Sequence, residues 1–173
     1  MKKNNLITKG VAFGTVILFI GLASASSINV NVSNFSTFED TEYWALIFAV
    51  GVYYNNPWQN RPSMLEAADD LYEVLIDSPN WKTDHIRKIT GAEATGQRLI
   101  KELLWLIQSA DSNDMVFIYI TTHGSPLKNI NGMPVDLPPK DEADGADEIL
   151  AMYKGFDKWY AIIWDDLLNF FLS

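Results

Sequence analysis

Two short apolar runs stand out along the chain. Residues 44–50 and 115–120 contain no polar side chain and are rich in branched and aromatic types. Runs of this length without polar alternation are typical of strands buried on both faces of a parallel sheet. Residues 85–89 alternate only partly, which indicates a third strand nearer the outer side of the same sheet.

Helical periodicity separates these strands. Residues 63–76 have an apolar face at helical spacing, formed by Met64, Leu65, Ala68, Leu71, Tyr72 and Leu75. Residues 95–110 have a second apolar face, formed by Leu99, Ile100, Leu103, Leu104 and Ile107. Ser63 with Glu66 has the spacing of a capping box, and Thr95 is a good N-cap. Asp165 predicts the start of a last helix, 166–172. The resulting β-α-β-α-β order predicts a doubly wound α/β sheet whose first strand lies between the other two.

The N-terminal segment differs from the rest. Residues 1–25 combine a basic start, an uncharged apolar stretch over 10–23 and a small-residue pattern at Ala23-Ser24-Ala25, as signal peptides do. They predict a secreted, extracytoplasmic protein. An uncleaved anchor is the alternative, and only that alternative predicts contact with a membrane. Residues 26–42 then form an exposed lead-in to a domain over 43–173.

The composition limits which partners and which reactive groups can be expected of this chain. The formal charge of −9 makes nucleic acid an unexpected partner, since phosphate binding needs a basic surface. The chain has no cysteine, so disulfides and thiolate chemistry are absent from it. No motif requires a cofactor.

A histidine ends the second apolar strand. His123 and Gly124 follow residues 115–122, and in open parallel sheets the chemistry lies at the carboxyl ends of the strands. Imidazole at such a place can act as a general base. His85, the other histidine, opens the outer strand and is interpreted as structural.

This set of features resembles the caspase-like cysteine peptidases: caspases, metacaspases and legumain-like enzymes. The resemblance is carried by a first strand ending in Gly51, an acidic helix over 65–71, His123-Gly124, and the acidic segments 141–150 and 164–168. It implies a caspase-like, mostly parallel sheet with flanking helices, and peptide or protein substrates. It also implies that His123 is the general base and that the Gly124 N–H contributes to an oxyanion hole.

One departure from the family decides what to expect of this chain. The family uses a cysteine at the end of the next strand, and none of the fifty residues after His123 is cysteine. The chain therefore resembles the front part of a peptidase domain, C-terminally incomplete and truncated before the nucleophile strand, which a complementary C-terminal half-domain would supply. Ser125 is too close to His123 in sequence to replace the thiol. Without the missing strand, the His123 strand is expected to be a bare sheet edge.

Two alternatives to a peptidase stay open. The first is an exported pseudoenzyme, which is inactive because no cysteine is supplied to it. The second is a peptide-binding or partner-binding α/β domain whose resemblance to peptidases is incidental.

The resemblance also implies binding residues. Asp69, or equally Asp70, aligns with an acid that selects Arg or Lys before the cut in metacaspases, whereas Arg61 aligns with the region where caspases use an arginine to select Asp. Asp147, Asp165 and Asp166 match places where metacaspases bind calcium, which prefers several hard oxygen ligands. A solvated loop and a plain helix N-cap are the structural alternatives for these acids.

Overall fold

The computed structural model describes the backbone of residues 12–20 and the whole of residues 40–172. This part of the chain forms one mixed sheet. Its strands are β1 (Ala12–Ile20), β2 (Tyr43–Ala49), β3 (Ile86–Thr90), β4 (Met115–Pro126), β5 (Glu148–Ala151) and β6 (Ile162–Trp164). Its helices are α1 (Pro62–Ile76), α2 (Gly96–Ser109) and α3 (Asp165–Leu172). None of the helices in the described part is long and apolar enough to cross a bilayer.

The centre of the sheet is parallel, in the order β3-β2-β4. Ala45 of β2 pairs with Ile86 on one side and with Phe117 on the other. The predicted α/β class and the central place of the first strand are therefore confirmed. β5 and β6 extend the sheet in antiparallel fashion beyond the carboxyl end of β2. β5 was expected near 149–153, whereas β6 carried no sequence signal that distinguished it.

The sheet is covered on both faces, as a doubly wound fold requires. On one face α1 packs Ala68 and Leu75 against Ala45 and Ile47 of β2. The other face receives α2 and α3, whose apolar residues pack against alternate β2 and β4 residues such as Phe48 and Ile118. This alternation of faces explains why the β2 sequence has no polar position. The arrangement is consistent with a caspase-like fold.

The start of α1 and the buried face of α2 differ from their predictions in detail. α1 begins at Pro62 after Arg61, with no side-chain cap, so the capping box at Ser63 is wrong. In α2 the Thr95 cap is confirmed, because its hydroxyl accepts from the Arg98 N–H at 3.2 Å. Leu104 and Ile107 are exposed instead of buried.

The place of those two residues is taken by Leu106 and by the carboxylate of Glu102, which is fully buried. Glu102 forms ion pairs with Arg87 of β3 and with Arg98, one turn earlier on α2. A buried carboxylate needs compensating charge, and the two arginines supply it. Glu102 can therefore lie on the inward face of α2, where the sequence predicted only apolar residues.

The outer edge of β4 is paired, contrary to the expectation of a bare edge. β1 runs antiparallel along it from the Ala12–Gly124 pair to the Ile20–Val116 pair. β1 lies inside the predicted signal peptide, of which residues 1–11 and 21–25 lie outside the described residues. Most of the predicted lead-in, residues 26–39, also lies outside them. Signal-peptide cleavage and the lead-in stay predictions.

Candidate active site

His123 lies two residues beyond the last parallel pair of the sheet, Ala49 with Thr121. Its ring is buried, with 1% of the residue exposed, rather than open at the rim of the sheet. Tyr53 and Phe156 contact the imidazole with ring centroids at 5.1 and 5.5 Å. The site is therefore covered by the loop after β2 and the loop after β5.

A backbone carbonyl fixes the state of the His123 ring. Nε2 lies 2.8 Å from the carbonyl oxygen of Gln59, in the single helical turn Pro57–Gln59. A carbonyl oxygen only accepts, so the Nε2–H of His123 must be the donor. In the neutral ring the lone pair that can take up a proton is then on Nδ1.

The surroundings favour the neutral form of His123. Burial is the largest cause and lowers the pKa of His123; the Gln59 carbonyl opposes this, and the positive charge of Arg61 adds to it. The ring is consequently a proton acceptor, rather than a cation, near neutral pH.

Tyr53 holds the backbone at His123 through a directed chain of hydrogen bonds. The His123 N–H donates to the Tyr53 hydroxyl at 2.9 Å. The Tyr53 hydroxyl lies 2.9 Å from the Thr122 hydroxyl, which donates in turn to the Ala151 carbonyl. Burial raises the pKa of Tyr53. Sequence reasoning missed this residue, since nothing in an aromatic pair after a strand distinguishes a buried tyrosine from the exposed Tyr54.

Gly124 is part of β4 and lies opposite Leu150 of β5. The His123 N–H points to Tyr53 and the Leu127 N–H to Asp147, on the side of β2 and β5. Because N–H directions alternate along a strand, the Gly124 N–H points to the other edge of β4, where β1 pairs. A side chain here would meet the Ile149 carbonyl at 3.4 Å, so glycine suits the close strand approach.

The two candidate specificity residues lie in different places. Arg61 is close enough to His123 and Tyr53 for its charge to lower the pKa of both, and it donates to the Asn60 carbonyl at 2.8 Å. Asp69 is exposed on α1 and pairs with Lys88 of β3 at 2.7 Å.

Asp69 is remote from the histidine. In the register of the sheet, Lys88 pairs with Ile47 of β2, and Ile47 pairs with Tyr119 of β4. Lys88 therefore lies two strands away from β4, level with the residue four positions before His123. That is a separation of roughly 16 Å. Asp70 is likewise exposed on α1.

The acidic segments converge near the start of α3. Carboxylate oxygens of Glu142, Glu148 and Asp165 lie within 4.8 Å of one another. Burial, then Asp141, Asp165 and Asp147 in that order, raises the pKa of Asp166. Of the three predicted acids, Asp165 belongs to this group, whereas Asp147 and Asp166 are neighbours whose charges act on it. Glu142 and Glu148 were missed because a run of acids does not show which of them point together.

Asp147 has a structural role in the same cluster. It is fully buried, and both its carboxylate oxygens accept from the Leu137 N–H at 3.2 Å. By contrast, one oxygen each of Asp136, Asp165 and Asp166 is buried without a hydrogen-bond partner among the described residues. Buried oxygens of this kind are suited to a cation.

Comparison with known proteins gives a distant similarity. Metacaspase-1 of Schizosaccharomyces pombe is 23% identical over 107 residues, which cover 58% of this chain and 23% of that protein. The similarity suggests a caspase-like family. Metacaspase-1 from two strains of Saccharomyces cerevisiae is 22% identical over the same length and the same shares. No family model matches the chain. The chain spans 23% of the length of these relatives.

Proposed function

We propose that this chain carries the histidine side of a caspase-like cysteine peptidase site. The observation that supports this most strongly is the contact of His123 Nε2–H with the Gln59 carbonyl, which makes Nδ1 the basic nitrogen. The adjacent Gly124 N–H points to the edge of β4 beside which the resemblance places the cysteine strand. β1 pairs along that edge as far as Gly124, so the proposal requires β1 to leave it before the cysteine strand can pair there. A base and an oxyanion donor on consecutive residues are what acyl transfer to a thiol requires.

The chemistry follows from these two groups. His123 Nδ1 takes the proton of a cysteine thiol supplied from outside these residues, and the thiolate attacks the peptide carbonyl. The oxyanion accepts a hydrogen bond from the Gly124 N–H while the imidazolium gives its proton to the departing amine. Water then hydrolyses the thioester with His123 as base, which restores the thiol and releases the acid.

In this proposal Arg61, rather than Asp69, selects the residue that precedes the scissile bond. Its charge acts on His123, whereas Asp69 is paired with Lys88 at the far side of the sheet. A guanidinium close to the histidine favours an acidic residue next to the scissile bond. We therefore infer preference for Asp or Glu over Arg or Lys.

A calcium ion fits the acidic cluster. Glu142, Glu148 and Asp165 provide hard oxygens within 4.8 Å of one another, and Asp166 adds a buried oxygen without a hydrogen-bond partner. A bound divalent cation would neutralise carboxylates whose mutual repulsion now raises the pKa of Glu148, after the larger effect of burial. It would also fasten the segment that Asp147 anchors to the start of α3.

A binding-only protein is the second candidate. It is favoured by two observations, the absence of cysteine from the sequence and the burial of the His123 ring. A substrate must displace Phe156 or the turn containing Gln59 to reach the imidazole. For either candidate, the signal-peptide pattern of residues 1–25 supports export from the cytoplasm.

The experiment compares the product of the complete reading frame with the chain alone. Both are assayed on fluorogenic peptides with Asp, Glu, Arg or Lys before the cut. We expect a cysteine-containing product to hydrolyse the peptides after Asp or Glu. His123→Ala should lower its rate of hydrolysis by about 100-fold or more, whereas His85→Gln should change that rate little. No turnover by the chain alone is expected. A complete product without cysteine, or one indifferent to His123→Ala, would leave the binding-only candidate.

A further inference from the structure

A group of exposed aromatic and basic side chains lies beside the site. We name it the rim patch and define it as Tyr54, Lys154, Lys158, Trp159 and Tyr160. Trp159 is 85% exposed and Tyr160 62% exposed, and both stand at the carboxyl end of the parallel strands, in the loop between β5 and β6. Tryptophan and tyrosine with this exposure are typical of surfaces that bind other polypeptides.

The rim patch is held in place by the backbone that carries it. The Met152 N–H donates to the Ala161 carbonyl at 3.0 Å, which closes the β5–β6 loop at its base. Inside the loop, the backbone N–H of Lys158 donates to the Lys154 carbonyl at 2.8 Å, and the backbone N–H of Ala161 donates to the Lys158 carbonyl at 3.0 Å. A loop closed in this way has little backbone entropy left to lose on binding.

Neighbouring segments tie the patch to the rest of the sheet edge. Tyr54 N–H donates to the Tyr153 carbonyl at 2.8 Å, and the two rings lie 6.0 Å apart. Phe156, in the same loop, packs against Tyr53 and His123. The loop that carries most of the rim patch is therefore attached to the loop after β2, and Phe156 of the same loop covers the histidine.

Positive charge is concentrated here in an acidic protein. The Lys154 ammonium lies 5.3 Å from the Tyr54 ring centre, and no carboxylate in the described part of the chain lies within 4 Å of it. Lys158 pairs with Asp157 at 3.0 Å, in an exposed contact that a partner can replace. The chain as a whole has a formal charge of −9, whereas the loop over residues 154–160 carries two lysines and one aspartate, a formal charge of +1.

We propose that the rim patch is a docking surface for an extended acidic peptide segment with aromatic or branched apolar residues between its acids. Its carboxylates pair with Lys154 and Lys158, and its apolar side chains pack on Trp159 and Tyr160. This surface is separate from the reacting groups of the proposed peptidase, and its occupation does not require His123 to catalyse.

The test is fluorescence anisotropy with the full chain and three labelled peptides. One alternates Asp or Glu with Phe or Leu; the second has Lys at every acidic position, and the third has Asn or Gln. We expect the acidic peptide to bind best and to weaken as salt is raised. Lys154→Glu and Trp159→Ser should each weaken binding of the acidic peptide by about tenfold.

Controls separate this surface from other exposed residues. Lys101→Glu and Ile130→Ser change an exposed cation on α2 and an exposed apolar residue in the loop after β4, and both should bind as the unaltered chain does. Equal binding of the basic peptide, insensitivity to Lys154→Glu in a folded variant, or absence of binding to all three peptides would overturn the proposal.

Discussion

The Nε2–H of His123 donates to the backbone carbonyl of Gln59 across 2.8 Å, although 64 residues separate the two in sequence. The contact joins β4 to the turn that follows β2. It fixes the tautomer of the imidazole and the orientation of its ring. The site is consequently organised by a main-chain group, which the side-chain sequence does not reveal.

The Tyr53 hydroxyl should contribute measurably to stability. Tyr53→Phe leaves the buried His123 N–H without its acceptor and the Thr122 hydroxyl without its partner. We expect a loss of about 1–3 kcal/mol in the free energy of unfolding, measured by urea denaturation. Tyr160→Phe removes a hydroxyl from an exposed residue and should change it by less than about 0.5 kcal/mol. Equal effects of the two substitutions would contradict the buried hydrogen-bond chain.

The buried carboxylate of Glu102 should make its two arginines necessary. Replacing Arg87 and Arg98 together by Met leaves the carboxylate buried without compensating charge, and should cost about 3 kcal/mol of stability. Adding Glu102→Leu should recover most of that loss, because an apolar side chain needs no partner there. A triple variant no more stable than the double variant would show that the arginines act through packing alone, as Arg87 does on Trp105.

The acidic cluster should make stability depend on pH and on calcium. Burial and neighbouring carboxylates raise the pKa of Glu142 and Glu148 above 4.5 and that of Asp166 above 3.8. A raised carboxyl pKa gives stability that is present below the ordinary value and lost as pH rises through the folded value. Without divalent cations, these groups should therefore favour folding at pH 4 more than at pH 7.

Calcium should remove part of that dependence by stabilising the ionised carboxylates. Thermal unfolding at pH 7 should move to higher temperature with calcium ions, and the shift should shrink in a Glu148→Gln, Asp165→Asn double variant. The matched control is Glu66→Gln with Asp70→Asn, which alters exposed acids of α1. The same calcium shift in both double variants would exclude the cluster as the site.

Removal of residues 1–25 should uncover the outer edge of β4. Those residues include β1, which pairs with β4 from Val116 to Gly124. An uncovered strand of this length is a template for pairing with other chains. We expect the shortened chain to self-associate more strongly than the full chain at the same concentration, as measured by sedimentation velocity. A shortened chain that remains monomeric would contradict the importance of β1 for the sheet edge.

The fold was predictable as far as hydrophobic pattern determines it. The all-apolar composition of residues 44–50 and 115–120 predicted strands covered by helices on both faces. The β-α-β-α-β order predicted the central place of the first strand. The same pattern failed at Leu104 and Ile107, because the ion pairs of Glu102 turn α2 so that a charged residue faces inward. Local periodicity does not contain such tertiary pairing.

The place of His123 in the fold was predictable, but its surroundings were not. His123 could be placed at the carboxyl end of a strand from the sequence order alone. Its cover could not, because Phe156 and Gln59 reach it from loops that carry no periodic signal. The same limit explains why Asp69 and Arg61 were left as alternatives, since only the sheet register separates Asp69 from the histidine.

Protonation of His123 should follow its burial. A lowered folded pKa means that stability from this group is present above 6.5 and is lost as pH falls through the folded value. Near neutral pH the ring should therefore be uncharged and should exist as a single tautomer.

The most direct measurement is the 15N NMR spectrum of the His123 imidazole at pH 7, assigned with the His123→Ala variant and followed on acidification. We expect a neutral ring protonated on Nε2 that titrates below 6.5. A ring protonated on Nδ1, or one that titrates above 6.5, would show that the Gln59 carbonyl and the burial of the ring do not set its protonation.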